Sequence, residues 1–277
     1  MEELTGILLG EVSNYVVQEH IMRYIFASKL SKGLVLDVAC GTGYGSAYLS
    51  EKISFVVGVD ISKKALGIAK RHYHKAEFVL ADAIRLPFRE NTYDTVVSFE
   101  TIEHIKNYLK FLSEIQKVLK EDGLFICSTP NVKYTMHPHY HVKEFYPEEF
   151  FKTLEKFFKS VERYGQYISI FLRVMDLVRY VTGNIISGIS KMLLQLLPSI
   201  KNSLSVMRFK NRTVKRKGVK SLHRIKDSYE TAFCQHEVVR LGSRKGLLRI
   251  MVAVCGNNPS VRGNKNGKDR NTCSLHS

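Results

Sequence analysis

Tryptophan is absent from this 277-residue chain, and it has only six prolines and five cysteines. The cysteines, at positions 40, 127, 234, 255 and 273, form no C-x-x-C pair. That argues against a structural zinc module and against a disulfide framework. Cys40, Cys127 and Cys255 fall in apolar runs, where a thiol packs as a small hydrophobe, and a reducing, cytoplasmic compartment is expected. No apolar run reaches the ~20 uninterrupted residues needed to span a bilayer. Met1-Glu2-Glu3 carries no basic stretch ahead of an apolar one, so no secretory signal is expected. No internal repeat is evident.

Acidic residues are scarce in the second half. Residues 1–150 hold 17 Lys and Arg against 19 Asp and Glu, a net of −2, whereas residues 151–277 hold 25 against 7, a net of +18. Between Lys191 and Lys226 there are 11 basic residues and no acid. A block of this kind seeks phosphates, either of nucleic acid or of anionic lipid. Apolar residues recur at helical spacing just before it, at Ile168, Phe171, Leu172, Met175 and Val178 and again at Ile185, Ile189, Met192, Leu193 and Leu196. Amphipathic helices followed by a basic tract fit interfacial membrane contact. They fit equally a helical cap packed over an active site, and the two roles are compatible.

The most telling stretch is residues 35–45, V-L-D-V-A-C-G-T-G-Y-G. An apolar run leads into alternate glycines, which suits a buried strand followed by a tight turn into a helix. Free N–H groups at that helix start make a polar cradle. Side chains at the second and third glycines are expected to hold a ligand away from the backbone. The dinucleotide fingerprint G-x-G-x-x-G is not met, since the spacing is Asp37-x-Ala39-x-Gly41-x-Gly43-x-Gly45. Further apolar runs at 55–60, 78–83, 93–100 and 124–129 read as strands, the first three bearing Asp60, Asp82 and Glu100 at or near their ends. Helical patterns at 45–52, 63–72 and 106–120 separate them, the last with Tyr108, Leu109, Leu112, Ile115 and Leu119 on one face. Alternation of this kind implies a parallel sheet with its ligand at the carboxyl ends of the strands.

The (D/E)-x-(G/A)-x-G-x-G loop, with acids at successive strand ends, resembles motif one of the class I S-adenosylmethionine (SAM)-dependent methyltransferases, type 11/23-like. His20 to Tyr24, Ser98 to His104, Ser128 to Asn131 and His141 to Phe145 occur in the order seen in a branch often associated with surface-glycan and lipopolysaccharide assembly. The resemblance implies an α/β Rossmann-like, doubly wound, seven-stranded and mostly parallel sheet, its last strand antiparallel. Strand six is then expected at 160–165 and strand seven at 246–255. The methyltransferase core is assigned to 1–166 plus 244–256, a helical and basic insertion to 167–243, and a disordered tail to 257–277.

Through the same resemblance, cofactor contacts fall to Tyr15, Arg23, Asp37, Ala39, Cys40, Gly41, Thr42, Gly43, Asp60, Ile61, Asp82, Ala83, Ile84, Phe99 and Glu100. Asp60 is expected at the ribose, where a carboxylate accepts from both hydroxyls. Asp82 is expected at the adenine amino group, with Ala83 and Ile84 along the ring. Arg23 is expected at the methionine carboxylate, a bidentate match, with Tyr15 as a further donor. Plainer roles stay open: Asp37 as a cap of the glycine turn, Asp60 and Asp82 as helix N-caps, and Arg23 in a structural ion pair.

Methyl transfer to a hydroxyl needs alignment and removal of one proton. His104 is the first candidate base, because imidazole titrates near neutrality, with Glu103 and His141 beside it. Glu100 and Glu103 fit also as supports of the cofactor loop, with His104 packed. His137, His139 and His141 alternate, but no further ligand spacing supports a metal there, and none is expected. The expected activity is O-methylation of a sugar or lipid-linked glycan, in the cytoplasm and peripherally at the inner face of a membrane. A nucleic-acid methyltransferase using the basic insertion is one alternative. Against it, Ser98-Phe99-Glu100-Thr101 stands where base-amine methyltransferases carry (D/N/S)-P-P-(Y/F/W). A non-catalytic assembly partner with the same fold is the other.

Overall fold

The structure, a computed structural model, describes residues 14–134, 140–168, 238–241 and 247–257. The chain divides into two compact units, residues 1–167 with 234–277, and residues 168–233. All that follows concerns the first, together with Ile168 at its boundary. In chain order its elements are α1 (Asn14–Leu30), β1 (Leu34–Val38), α2 (Tyr44–Ser50), β2 (Phe55–Asp60), α3 (Lys63–His72), β3 (Glu77–Leu80) and β4 (Tyr93–Phe99). A 3-10 turn (Ile102–His104) leads to α4 (Tyr108–Val118), β5 (Leu119–Pro130), α5 (Pro147–Glu155), β6 (Ser160–Ile168), β7 (Val238–Arg240) and β8 (Leu247–Gly256).

The helices start where side chains can satisfy their free N–H groups. Ser62 Oγ accepts from Ala65 N at α3, and Asn107 Oδ1 accepts from Lys110 N at α4. Pro147 opens α5, with Glu148 and Glu149 in the first turn, where negative charge suits the helix dipole. The apolar stripe of α4 buries Phe111, Leu112, Ile115 and Val118. This corrects the expected face: the cap at Asn107 sets the helix phase so that Leu109 points outward, 48% exposed, and Leu119 already belongs to β5.

The strands form one sheet in the order β3-β2-β1-β4-β5-β8-β6-β7. The first five run parallel, and β8 pairs antiparallel with β5. The sheet has eight strands where seven were expected. The extra one is β7, which pairs antiparallel with Tyr164, Gly165 and Gln166 of β6. It lies in the stretch assigned to the insertion, and three residues are too short a run to show alternation. β3 stops at Leu80, so Asp82 stands beyond the strand, in a bridge with Arg85.

Alternation along each strand feeds two apolar layers. Leu36, Val38, Phe125, Cys127 and Cys255 lie in one; Val35, Val56, Val97 and Ile126 lie in the other, with Cys40 from the loop after β1. The three described cysteines are buried and free. Burial on both faces is why β1 and β4 read as nearly continuous apolar runs. The order reverses between β1 and β4, so the loops after them diverge and leave a crevice at their carboxyl ends.

Candidate active site

The loop after β1 is held in an uncommon conformation. Ala39, Gly41 and Gly43 all have left-handed backbone, with φ of 60°, 56° and 81°. Only Ala39 carries a Cβ there, at a cost of roughly 1 kcal/mol. The loop is tied to β2 by Cys40 N donating to Val59 O (2.9 Å) and Gly41 N donating to Asp60 Oδ2 (2.8 Å). Asp60 Oδ1 accepts from Ser62 N (2.7 Å). Each carboxylate oxygen of Asp60 thus accepts one backbone N–H and keeps capacity for a second donor.

At the second and third glycines the space a side chain would take is filled by the protein itself, where a ligand was expected. A Cβ on Gly43 would meet Ala69 Cβ at 2.6 Å and Phe78 Cε1 at 2.7 Å. On Gly45 it would sit 1.9 Å from Cζ of Tyr24. Both are bare because other elements pack on them. Gly45→Ala is therefore expected to cost about 2 kcal/mol, the range for overpacking, despite the better helix propensity of alanine. Urea denaturation checks this, and the double variant with Tyr24→Ala should show a markedly smaller cost for the added methyl.

A cavity of about 1080 Å³ opens at the strand ends. Ala39, Gly41, Thr42, Asp60 and Ile61 form one wall, Asp82, Ala83 and Ile84 another, and Glu100, His104 and His141 reach it as well. Of the fifteen expected cofactor residues, nine line the cavity, while Arg23, Asp37, Cys40, Gly43 and Phe99 are buried around it and do not. The side chain of Tyr15 lies outside the described residues, as do His137 and His139. Lys106 and Tyr140, which the sequence reading did not single out, also line the cavity, as do His20 and Thr101 from the motifs of the resemblance.

Asp37 sits beneath the loop, fully buried. Ser46 Oγ donates to its Oδ2 at 2.6 Å, and Tyr24 Oη lies 3.2 Å from Oδ1. Burial pushes its carboxyl up to about 7, against the pull of the Ser46 and Tyr24 hydrogen bonds and with the charge of Asp60 adding to the rise. Tyr24, whose ring packs edge-on against Phe99 and Tyr44, thereby couples α1 to the glycine loop.

Arg23 takes the ion-pair role that the sequence left open. Its guanidinium, wholly buried, donates to Glu100 Oε1 (2.6 Å) and to Gln166 Oε1 (2.7 Å). Its two terminal nitrogens are thus already engaged by side chains of the protein. His20 Nε2 lies 3.1 Å from Glu100 Oε2. Burial alone would raise the Glu100 carboxyl; Arg23 and His20 more than offset it and hold the group well below the usual carboxylate range. Glu100 itself has φ 49°, a left-handed conformation that turns the chain out of β4.

The three expected catalytic residues come together. Glu103 and His104 share the 3-10 turn, and the chain at His141 is pinned beside them by Val142 N and Lys143 N, both donating to Glu103 O (2.9 and 3.1 Å). The rings of His104 and His141 meet edge to face, 4.9 Å between centroids. Glu103 is buried, its Oε2 accepting from Thr129 Oγ1 at 3.0 Å. Burial, then the charge of Glu100, pushes its carboxyl up to about 8, and burial lowers the His104 imidazole.

Residues 36–127 match the Methyltransferase domain family. That stretch is similar to a methyltransferase domain and covers about a third of the chain. A "probable S-adenosylmethionine-dependent methyltransferase" of Mycobacterium tuberculosis is 31% identical over 122 residues, covering 44% of this chain and 44% of that protein. A demethylmenaquinone methyltransferase of Staphylococcus saprophyticus is 33% identical over 116 residues, 40% of this chain and 49% of that one. The chain thus spans about half the length of these curated relatives. The YcgJ protein of Bacillus subtilis shares the fold, with a TM-score of 0.51 at 15% identity over 87% of this chain and 98% of that one. The cavity fits SAM on its own geometry. Thr42 Oγ1 is buried at the cavity without a partner among the described residues, and Asp60 keeps two acceptor positions facing the same space. Gly41, Thr42 and Asp60 would hold the polar end and ribose, and Asp82, Ala83 and Ile84 the base.

Proposed function

We propose that this protein methylates a hydroxyl of a sugar or lipid-linked glycan. The observation that carries the reading is the convergence, on one cavity of about 1080 Å³, of the cofactor cradle with the cluster of His104 and His141 over Glu103. Bound SAM supplies an electrophilic methyl group on a sulfonium. Asp60 and the Gly41 loop would hold it in one orientation, which would turn a bimolecular step into a positioned one. Ile61, Ile84 and Ile105 give the cavity apolar walls. The acceptor hydroxyl then needs a group that takes up its proton, and an imidazole left neutral by burial suits that.

The acceptor class draws its support from the order of short motifs that resembles the surface-glycan branch, His141 to Phe145 among them. Peripheral contact with an anionic membrane belongs to the same reading and draws on the basic tract between Lys191 and Lys226. Among the described residues, no helix is long and apolar enough to cross a membrane. That tract also favours a second reading, methylation of RNA; binding to RNA that weakens steeply with salt, without binding to anionic vesicles, would favour it.

Calorimetric titration with SAM is the first test. Asp60→Ala removes an ionised acceptor of two hydrogen bonds, and a loss of about 100-fold in affinity is expected. Transfer of labelled methyl from SAM to glycan acceptors follows. A folded wild-type protein that binds no SAM would overturn the reading.

A further inference from the structure

The cluster of Glu103, His104 and His141 holds more ligating capacity than proton uptake requires. One ligand atom from each lies within 4.8 Å of the others. Both imidazoles are fixed through Nδ1. That of His104 is 3.3 Å from Tyr140 O, and that of His141 is 3.4 Å from Glu144 Oε1. A carbonyl oxygen and a carboxylate oxygen only accept, so Nδ1 is the donor in each contact and Nε2 is the ring nitrogen not engaged in it. The same pattern orients histidines that ligate metals: one ring nitrogen donates to a carbonyl or carboxylate, and the other binds.

Glu103 completes the set. Its Oε2 is occupied by Thr129 Oγ1, while its Oε1 is buried with no partner among the described residues. A buried polar atom left bare costs about 1–3 kcal/mol, more for a charged group, so the site asks for something to bind there. The backbone bonds from Val142 N and Lys143 N to Glu103 O hold the two chain segments together, which keeps the three donors side by side.

We propose that Glu103, His104 and His141 bind one divalent first-row transition-metal ion at the wall of the cavity. Two imidazole nitrogens and one carboxylate oxygen suit Zn, Fe or Mn, whereas Mg and Ca take oxygen alone. Bonds of about 2.0–2.2 Å bring ligand atoms to roughly 3.3 Å apart, so the side chains close by about an ångström on binding. His104 and His141 line the cavity, which leaves coordination positions open toward it. On the methyltransferase reading, an acceptor hydroxyl takes such a position and becomes more acidic, its proton passing to water. The ion then does what a free imidazole base would otherwise do. That role rests on the proposed function; the metal site itself does not.

The test is calorimetric titration of Zn²⁺ into chelator-treated, full-length protein, checked for fold by circular dichroism, beside Glu103→Gln, His104→Ala and His141→Ala. One ion per chain is expected, weakened at least about tenfold in each variant. Glu144→Gln loosens the hold on His141 without removing a ligand, and should weaken Zn²⁺ by about tenfold even where a ligand variant fails to fold. SAM affinity, titrated separately, should change by less than about threefold in all of them. No Zn²⁺ binding, or binding of equal strength in wild type and variants, would overturn the proposal. Variant-sensitive Zn²⁺ binding by a protein that binds no SAM would keep the metal site and remove the methyltransferase reading. The converse result would do the opposite.

Discussion

Arg23→Met is expected to destabilise the protein by about 3 kcal/mol, because it strips a largely buried carboxylate of its cation. Glu100 would keep His20 and the charge of Arg249, and the buried Gln166 would lose the Arg23 hydrogen bond. The cost should lie in the charge left behind rather than in the pair itself, since a buried ion pair gains little over well-packed neutral groups. Adding Glu100→Gln to Arg23→Met should therefore recover more than half of the loss. Urea denaturation of the wild type, both single variants and the double variant measures this as a cycle. If Arg23→Met has no effect on stability, the pair does not anchor α1. Glu100 reaches the cavity and Arg23 does not, so Arg23 acts on the site from behind Glu100 and, by its charge, on Glu103.

The pH dependence of stability should carry a clear contribution from Asp37. Its carboxyl, about 3.8 when unfolded, is pushed up to about 7 by burial. The folded state thus binds the proton more tightly than the unfolded state. The stabilisation from that proton is fully present below about 3.8 and is lost as pH rises through about 7. Three units of displacement correspond to a swing on the order of 4 kcal/mol. Asp37→Asn removes this titration while keeping an acceptor for Ser46 or Tyr24. The difference in unfolding free energy between wild type and Asp37→Asn should shift in favour of the variant from pH 4 to pH 7.5, then level off. Subtracting the two profiles cancels the other buried acids, Glu103 and Glu100, which the variant leaves in place. A difference that stays flat across that range would mean that Asp37 is ionised in the folded protein throughout.

These two expectations involve residues whose importance was differently visible in the chain. Asp37 belongs to a local pattern, since strand, acid and glycine loop follow one another within nine residues. Its position was legible, but its burial depends on Tyr24 arriving from α1. Arg23 and Glu100 are 77 residues apart, and nothing local pairs them. The glycines show the same division. The conformational demand on Gly43 is written in the turn, whereas Gly45 is bare because a remote aromatic ring occupies the space.

The sequence by itself determined the alternation of strands and helices, the glycine turn and the placing of Asp60 and Glu100 at or next to strand ends. These follow from hydrophobic period and backbone sterics, which act over a few neighbouring residues. Only the tertiary structure decided that Arg23 serves Glu100, that β7 extends the sheet, and that His104 and His141 line one cavity with Glu103 buried beside them. Such contacts join segments far apart in the chain, and which partners meet is set by packing of the whole sheet and its helices.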